Sequence, residues 1–319
     1  MGQIPTVLSD RLPRDWISVS SWLSMYNQPP SVEMRPAAGL QKFLTQIYQL
    51  NRADALRETM APVRQSAFLC SQGSNASAVL TALPTNKMLT MSDPSFIAFC
   101  RRRLGLRQQL MERRPVTKCI CNAVLDTPDD TFNHFLGCSK LMATTGNARH
   151  DLVKHAFARF IRETGASMLM EVYTGCGENR FDNVIISNGC RVAIDIAIPH
   201  VQTPSRMQSG TALRPKQVLH TTETRKRQHY SEELKHMDGA EFFPFVIDTA
   251  GQWGPAAIKL IKSLPRLIPG FDRLTGMSEL EFKRYGVEAV SIAVQEGNHL
   301  MYADGLGRTL QNQPFVVGG

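Results

Sequence analysis

The sequence predicts an α/β (α+β) chain, with a helical N-terminal segment, a small metal-stapled module and a mixed-sheet domain flanked by helices. Three observations carry this. Over residues 151–165, Leu152, Val153, Ala156, Phe157, Phe160 and Ile161 form one apolar stripe at helical spacing. Short apolar, β-branched runs follow at 168–172, 182–187, 190–198 and 242–247, the pattern of strands. Ahead of both, Cys119, Cys121, His134 and Cys138 stand at C-x-C-x12-H-x3-C spacing.

The N-terminal segment is the least patterned. Residues 1–35 scatter Pro, Ser and Met without a period and read as loop. Leu40, Phe43, Leu44, Ile47, Tyr48 and Leu50 recur near helical spacing and extend a helix over 37–70. Residues 71–77 read as a loop. Asp93, followed by Pro94, reads as the N-cap of the next helix. Further helices are expected at 255–263 and 278–295, with residues 297–319 irregular. Gly165 sits where a C′ glycine belongs. The resulting divisions are 1–115, a partly irregular helical region with a basic end; 116–145, the Cys/His module; 149–265, the mixed-sheet domain; and 266–319, a C-terminal helix and tail.

Composition narrows the function classes. Hydrophobic residues make up 43% of the 319 and charged residues 20%, enough to bury a core and unlike a disordered chain. The net charge of +8 suits a polyanionic partner without requiring one. No run approaches 18 apolar residues, so no membrane partner is expected. The seven cysteines are odd in number, and residues 1–14 have no apolar core of a signal peptide. Reduced thiols or metal ligands in an intracellular compartment are expected.

The Cys/His spacing suits zinc. Thiolate and imidazole supply four tetrahedral ligands, and all four filled makes the site structural. The segment between the ligands, with Pro128, Asp126, Asp129 and Asp130, reads as a loop too polar for a core of its own, so a metal would staple it. The plainer reading is inert buried cysteines beside a chance histidine. Just before the module, Arg101, Arg102, Arg103, Arg107, Arg113, Arg114 and Lys118 face a single acid, Glu112. Such a run is either a solvated helix face or a set of phosphate contacts.

The most informative stretch is 180–199. Asn188-Gly189 between two apolar runs signals a two-residue hairpin turn. That turn pairs Ser187 with Cys190 and, counting outward, sets Asp182 opposite Asp195. Residues opposite one another share a face, with Cβ atoms about 4.5–5.5 Å apart. Val192, Ile194, Ile196 and Ile198 form one face of the second strand, and Ala193, Asp195 and Ala197 the other. Two facing aspartates on a rigid hairpin make a Mg²⁺ or Mn²⁺ site; solvent-exposed strand ends that never meet are the alternative. Glu171, ending the preceding strand, is a third acid able to join. In the helical stretch that follows, Lys226 is the first choice for a lysine that steadies developing phosphate charge, with Lys216 second.

The order of these motifs resembles the C-terminal half of non-LTR retrotransposon proteins that carry a restriction-like endonuclease. The resemblance covers about residues 78–293. Ala78-Val-Leu-Thr-Ala-Leu-Pro-Thr85 is similar to the segment after that family's polymerase, and Phe99-Cys-Arg-Arg-Arg-Leu-Gly-Leu106 to its basic stretch. Cys119, Cys121, His134 and Cys138 match its zinc knuckle, and Arg149-His150-Asp151 the opening of its first nuclease helix. Arg180-Phe181-Asp182 stands where the family has Arg/Lys-Pro-Asp. Asp195 matches the second acid and Glu171 an upstream glutamate. Glu223-x2-Lys226-x2-His229-Tyr230 resembles a helix that has lysine in place of His229. Phe243-Pro-Phe-Val-Ile-Asp-Thr-Ala-Gly251 with Gly254 resembles the strand and turn that follow. Phe181 departs from the usual proline, and Ala197 stands where a PD-(D/E)xK lysine would.

The resemblance implies a restriction-endonuclease-like domain that hydrolyses DNA phosphodiesters. Mg²⁺ or Mn²⁺ would sit at Asp182 and Asp195, Glu171 would assist, Lys226 would stabilise charge, and the structural ion would be zinc. DNA is the implied partner, the element's RNA a further candidate, and the nucleus the implied location; Arg180 and the basic run would contact nucleic acid. No polymerase motif is present, so copying of RNA is not expected of this chain. The competing class is a zinc-knuckle nucleic-acid-binding protein without chemistry, or a transposon remnant. The intact, in-register acid pair favours the enzyme.

Overall fold

A computed structural model describes residues 52–106, 108, 116–125, 128–174, 179–235 and 240–311. The expectations for residues 1–35, for 37–51, and for Arg107, Arg113 and Arg114 lie outside these. The chain divides at Thr59, and Met60–Gly319 is a unit of its own. The helix expected over 37–70 does not run through. Residues 52–58 are helical, and Ala61 is then extended (φ −60°, ψ 148°) because Pro62 disfavours the helical conformation of the residue before it.

From there the principal elements are α1 (Pro62–Ser71), α2 (Asp93–Arg103), α3 (Pro128–Gly137), α4 (Asn147–Arg162), β1 (Ser167–Tyr173), β2 (Arg180–Ser187), β3 (Cys190–Ala197), α5 (Pro215–His229), β4 (Ala240–Val246), α6 (Pro255–Leu267) and α7 (Glu279–Gln311). This is a mixed α/β architecture around one four-stranded mixed sheet in the order β1-β2-β3-β4. β1, β2 and β3 run antiparallel in succession, and β4 joins β3 in parallel after the crossover through α5. Ser92, one residue earlier than expected, is the N-cap of α2. α4 begins four residues before Asp151, because a π-helical turn at Met142–Gly146 feeds straight into it, and Gly165 closes it with a left-handed φ of 77°.

One face of the sheet meets the main core. Val192, Ile194 and Ile196 of β3 and Phe243 and Phe245 of β4 pack there with Val153, Phe157, Phe160 and Ile161 of α4, and with Leu260 and Leu264 of α6. The predicted α4 stripe is the buried face at Val153, Phe157, Phe160 and Ile161, with Ala156 partly buried, whereas Leu152, also counted in it, is 41% exposed. The opposite face carries a smaller cluster of Phe181, Val184, Ala193, Phe242 and Tyr230. Alternation along β3 divides the two, as a period of two requires.

The largest departure from the sequence reading is α7. A helix was expected over 278–295 with an irregular tail; the helix continues to Gln311. Gly297 and Gly305 look like breaks, yet Met301, Tyr302 and Leu306 repeat at helical spacing and pack on Phe132, Phe135, Leu136 and Leu141. The second half of the supposed loop between Cys121 and His134 is likewise α3, with Pro128 in its first turn. The module does have a core, because α7 supplies part of it. Gly286 and Gly297 set how closely α7 meets α4: a Cβ on the first would overlap the Phe160 ring, and on the second the Arg149 side chain. Gly297→Ala is expected to lower stability by about 1–3 kcal/mol through overpacking, more than the helix-propensity gain returns. Urea unfolding of both proteins measures it, and an unchanged midpoint would contradict this packing.

Candidate active site and candidate metal centre

The hairpin forms in the expected register. Asn188 and Gly189 take φ of 48° and 75°, the signature of a two-residue hairpin turn. Ser187 pairs with Cys190, and the ladder runs outward to Asn183↔Ile194. The next pair by count is Asp182 with Asp195. Here the ladder gives way, and the Ile196 N–H donates to Asp182 Oδ2 at 2.7 Å. The β1–β2 ladder has a matching gap. Met170 pairs with Asn183 and Val172 with Phe181, which leaves Glu171 opposite Asp182. Glu171 takes a left-handed φ of 54°, unfavourable for a residue with a Cβ. Glu171, Asp182 and Asp195 thus stand side by side on three adjacent strands.

Each acid is held by cations from other elements. Asp195, 4% exposed, has Lys226 Nζ 2.5 Å from Oδ2 and the Tyr230 hydroxyl 3.0 Å from Oδ1. Lys226 and Tyr230 are four residues apart, one on α5 and one capping it, so they reach the same carboxylate. Burial raises the Asp195 pKa above the usual carboxylate range; Lys226 opposes this and the Asp182 charge adds to it. Burial and the Asp195 charge also raise the Tyr230 pKa, so its phenol remains a donor. Asp182 Oδ2 lies 3.1 Å from His150 Nε2, which is also 3.2 Å from the Ile196 carbonyl oxygen. Burial works against a charge on His150, but the hydrogen bond and charge of Asp182 outweigh it and its pKa is raised. Glu171 pairs with Lys154 through Oε1 and with Arg180 Nε, 2.6 Å from Oε2. Burial opposes the Lys154 charge too, and Asp151 and Glu171 together hold its pKa above that of an ordinary lysine.

The four residues expected to carry chemistry, Glu171, Asp182, Asp195 and Lys226, therefore meet, and Arg180 joins them. Lys216, the second choice, is exposed in the first turn of α5 and does not line the cleft above this row. The sequence assigns no role to His150 or Tyr230, which stand only within matched motifs, and does not single out Lys154. For His150 and Lys154 the available signal was their i,i+4 spacing on the polar side of the α4 stripe. Glu223 is a structural residue: its Oε1 accepts the Ala256 N–H at 2.9 Å in the first turn of α6.

The basic run divides differently from the reading as phosphate contacts. Arg102 donates to the Thr249 carbonyl at 2.8 Å and lies over the Phe132 ring. Arg103 donates to the carbonyls of Ala76 and Ser71 and to the Ser77 hydroxyl. Both guanidinium groups hold the chain together instead of facing solvent. Their donors satisfy carbonyls that secondary structure leaves open, which a charge count cannot reveal.

Cys119, Cys121, His134 and Cys138 do converge. Their ligand atoms all lie within 4.8 Å of one another, the one group of this kind among the described residues. Cys119 Sγ is 3.7 Å from Cys138 Sγ, and Cys121 Sγ is 3.2 Å from His134 Nε2. A tetrahedron with Zn–S bonds of about 2.3 Å has edges of about 3.8 Å. The first two cysteines sit on a tight loop in which Asn122 takes φ 69° and the Cys119 N–H donates to the Ala123 carbonyl. His134 comes from α3, and Cys138 directly follows it. Burial pushes the Cys119 thiol up, so this sulfur keeps its proton unless a cation draws it off. The cluster can hold a metal such as zinc.

No family model matches the chain, and no curated protein is detectably similar to it.

Two outcomes follow. Elemental analysis should find zinc equimolar with the wild-type chain and lost from Cys138→Ala; equal zinc in both would remove Cys138 from the ligand set. Lys226→Met should raise the Asp195 pKa further, because the main opposing charge is gone. Carboxyl-carbon NMR titration reads this, and a pKa unchanged or lowered would contradict the pairing.

Proposed function

We propose that this chain is a metal-dependent DNA endonuclease of the restriction-like, PD-(D/E)xK kind, derived from a non-LTR retrotransposon protein. The observation that carries the reading is the row of Glu171, Asp182 and Asp195 with Lys226 at its end: Glu171, Asp182 and Lys226 line a cleft of about 650 Å³, and Asp195 is buried against Lys226 next to it. The element order supports it: a helix, an antiparallel three-strand meander bearing the acids, and a crossover to a parallel fourth strand. So does the lysine, which arrives from α5 in place of the strand position held by Ala197.

The residues fit a hard divalent cation. Asp182 Oδ2 and the Ile196 carbonyl converge on one donor, His150 Nε2, with Asp195 on the adjoining strand. An all-oxygen set of this type suits Mg²⁺ or Mn²⁺. Asp182, Asp195 and the Ile196 carbonyl would hold it, and when bound it supplies Lewis acidity and an acidified water. Lys226 places a positive charge beside the row, where a phosphorane would carry its negative charge. Lys154 and Arg180 both pair with Glu171, and Arg180, 55% exposed along its side chain, offers remaining donors to a backbone phosphate. The Cys/His module would be a structural zinc knuckle on one wall of the cleft, which Leu136 and Gly137 line. DNA as substrate places the work of the protein in the nucleus.

The test is nicking of supercoiled plasmid with Mg²⁺ or Mn²⁺. Wild type should nick. Asp182→Ala and Asp195→Ala should not nick while still binding DNA, and Lys226→Ala should lose roughly 10²–10³-fold in rate. Nicking by Asp182→Ala at the wild-type rate would sink the assignment. A wild type that shifts DNA in a gel but never cuts it would select the binding-protein reading.

A further inference from the structure

The same cleft is also lined by Arg149, Arg206 and Arg225, and by Asn147 and Thr203. The Arg149 and Arg206 charges both act on buried His200, which lines it too. The acids of the row and its rim already have cationic partners: Glu171 and Asp151 with Lys154, Asp182 with His150, Asp195 with Lys226. Among the described residues none of the three arginines forms an ion pair. Arg149 is 1% exposed, its Nη1 shared between the Asn298 side-chain oxygen at 3.3 Å and the Leu136 carbonyl at 3.5 Å, and its Nε is without a hydrogen bond among the described residues. Arg206 is fixed by donating to the His200 carbonyl. Its neighbour Arg225 is exposed on α5 one residue before Lys226 and is close enough that the two charges oppose each other.

Converging cations without a counter-charge are costly unless an anion completes them. We propose that Arg149, Arg206 and Arg225 form a phosphate subsite that binds a backbone phosphate of the DNA strand flanking the one cut at the acid row. The nucleic-acid identity of the ligand rests on the endonuclease reading; the charge arrangement does not. Guanidinium groups present paired N–H donors that match phosphate oxygens. Because Arg225 and Lys226 are adjacent on one helix, the subsite and the cutting site are set at a fixed distance. A phosphate held at the first therefore registers the strand at the second. Arg206 and Arg225 are positioning residues in this scheme, and Arg149 is the buried floor.

The experiment is DNA binding by fluorescence anisotropy across KCl concentrations, in an Asp182→Asn background that does not cut. Adding Arg206→Gln and Arg225→Gln should weaken binding and reduce the slope of log K against log salt by about 0.9 for each phosphate that is no longer neutralised. Lys262→Gln with Arg266→Gln, exposed on α6 and away from the cleft, makes the same charge change and should leave the slope at the parent value. Both cleft positions reach the surface, and thermal melts of all three proteins confirm folding. A cleft variant with the parental slope, or with no larger a drop than the α6 control, overturns the subsite even if wild type nicks plasmid. A reduced slope in a protein whose wild type never nicks keeps the phosphate subsite and removes the nuclease.

Discussion

The register of one hairpin governs this site. Asn188 and Gly189 close a two-residue turn in the left-handed region, and every pairing outward follows from it. Because side chains alternate with a period of two, a slip of one residue would put Asp195 in the main core and Ile194 under α5. The apolar run Val192, Ile194 and Ile196 makes that slip prohibitive. The same count carried across β2 brings Glu171 into line. The acid row is thus a consequence of sheet geometry more than of any local sequence around each acid, and its one strained residue, Glu171 at φ 54°, is the member on the far strand.

α7 gives the rest of the unit its coherence. Its first half packs on α4 and the main core through Phe282, Val290 and Val294, and its second half completes the core of the Cys/His module. Buried polar groups knit the junction. Asn298 donates to the Thr249 carbonyl at 2.7 Å, and Arg102 reaches the same oxygen from α2. A single carbonyl at the turn after β4 thereby ties the N-terminal helices, the sheet and α7 together. Arg149 sits in this junction as well, so the cation floor of the cleft is positioned by the packing that aligns the module with the sheet.

Much of this was legible in the sequence, for identifiable reasons. Short-range rules act within a few residues, so the turn, the register, the strand alternation and the α4 stripe could be read directly. The Cys/His group was legible because metal ligands need particular atoms at close spacing. Arg102 and Arg103 were not: whether an arginine meets water or a carbonyl depends on what packs over it, here Phe132, Thr249 and the 71–77 loop. The roles of His150, Lys154 and Tyr230 were not legible for the same reason, since each is acquired only when its helix is laid on the sheet. Gly297 and Gly305 misled because glycine signals a helix end in isolation, whereas here it permits close approach to Arg149 and Phe135. The long α7 was visible only in the recurrence of Met301, Tyr302 and Leu306 beyond them.

The electrostatics of the row explain why its partners come from so many elements. Three carboxylates in adjacent positions would repel one another and push each other toward protonation. No single segment supplies the compensation. Lys154 and His150 come from α4, Arg180 from β2, Lys226 from α5, and Tyr230 from the turn that ends it. The site therefore exists only when α4 and α5 are docked on opposite sides of the hairpin, and each partner has a distinct reach. Lys226 and Tyr230 fix Asp195 from one face, leaving its basicity set by burial against a nearby ammonium. His150 instead spans Asp182 and the Ile196 carbonyl, two oxygens that a hard cation would also take. On the endonuclease reading His150 is consequently the partner whose hydrogen bond competes with metal, while Lys226, Lys154 and Arg180 hold the remaining charges in place. That division of labour follows from where each side chain enters: His150 from the α4 side, onto the oxygens themselves, and the others from the flanks of the row.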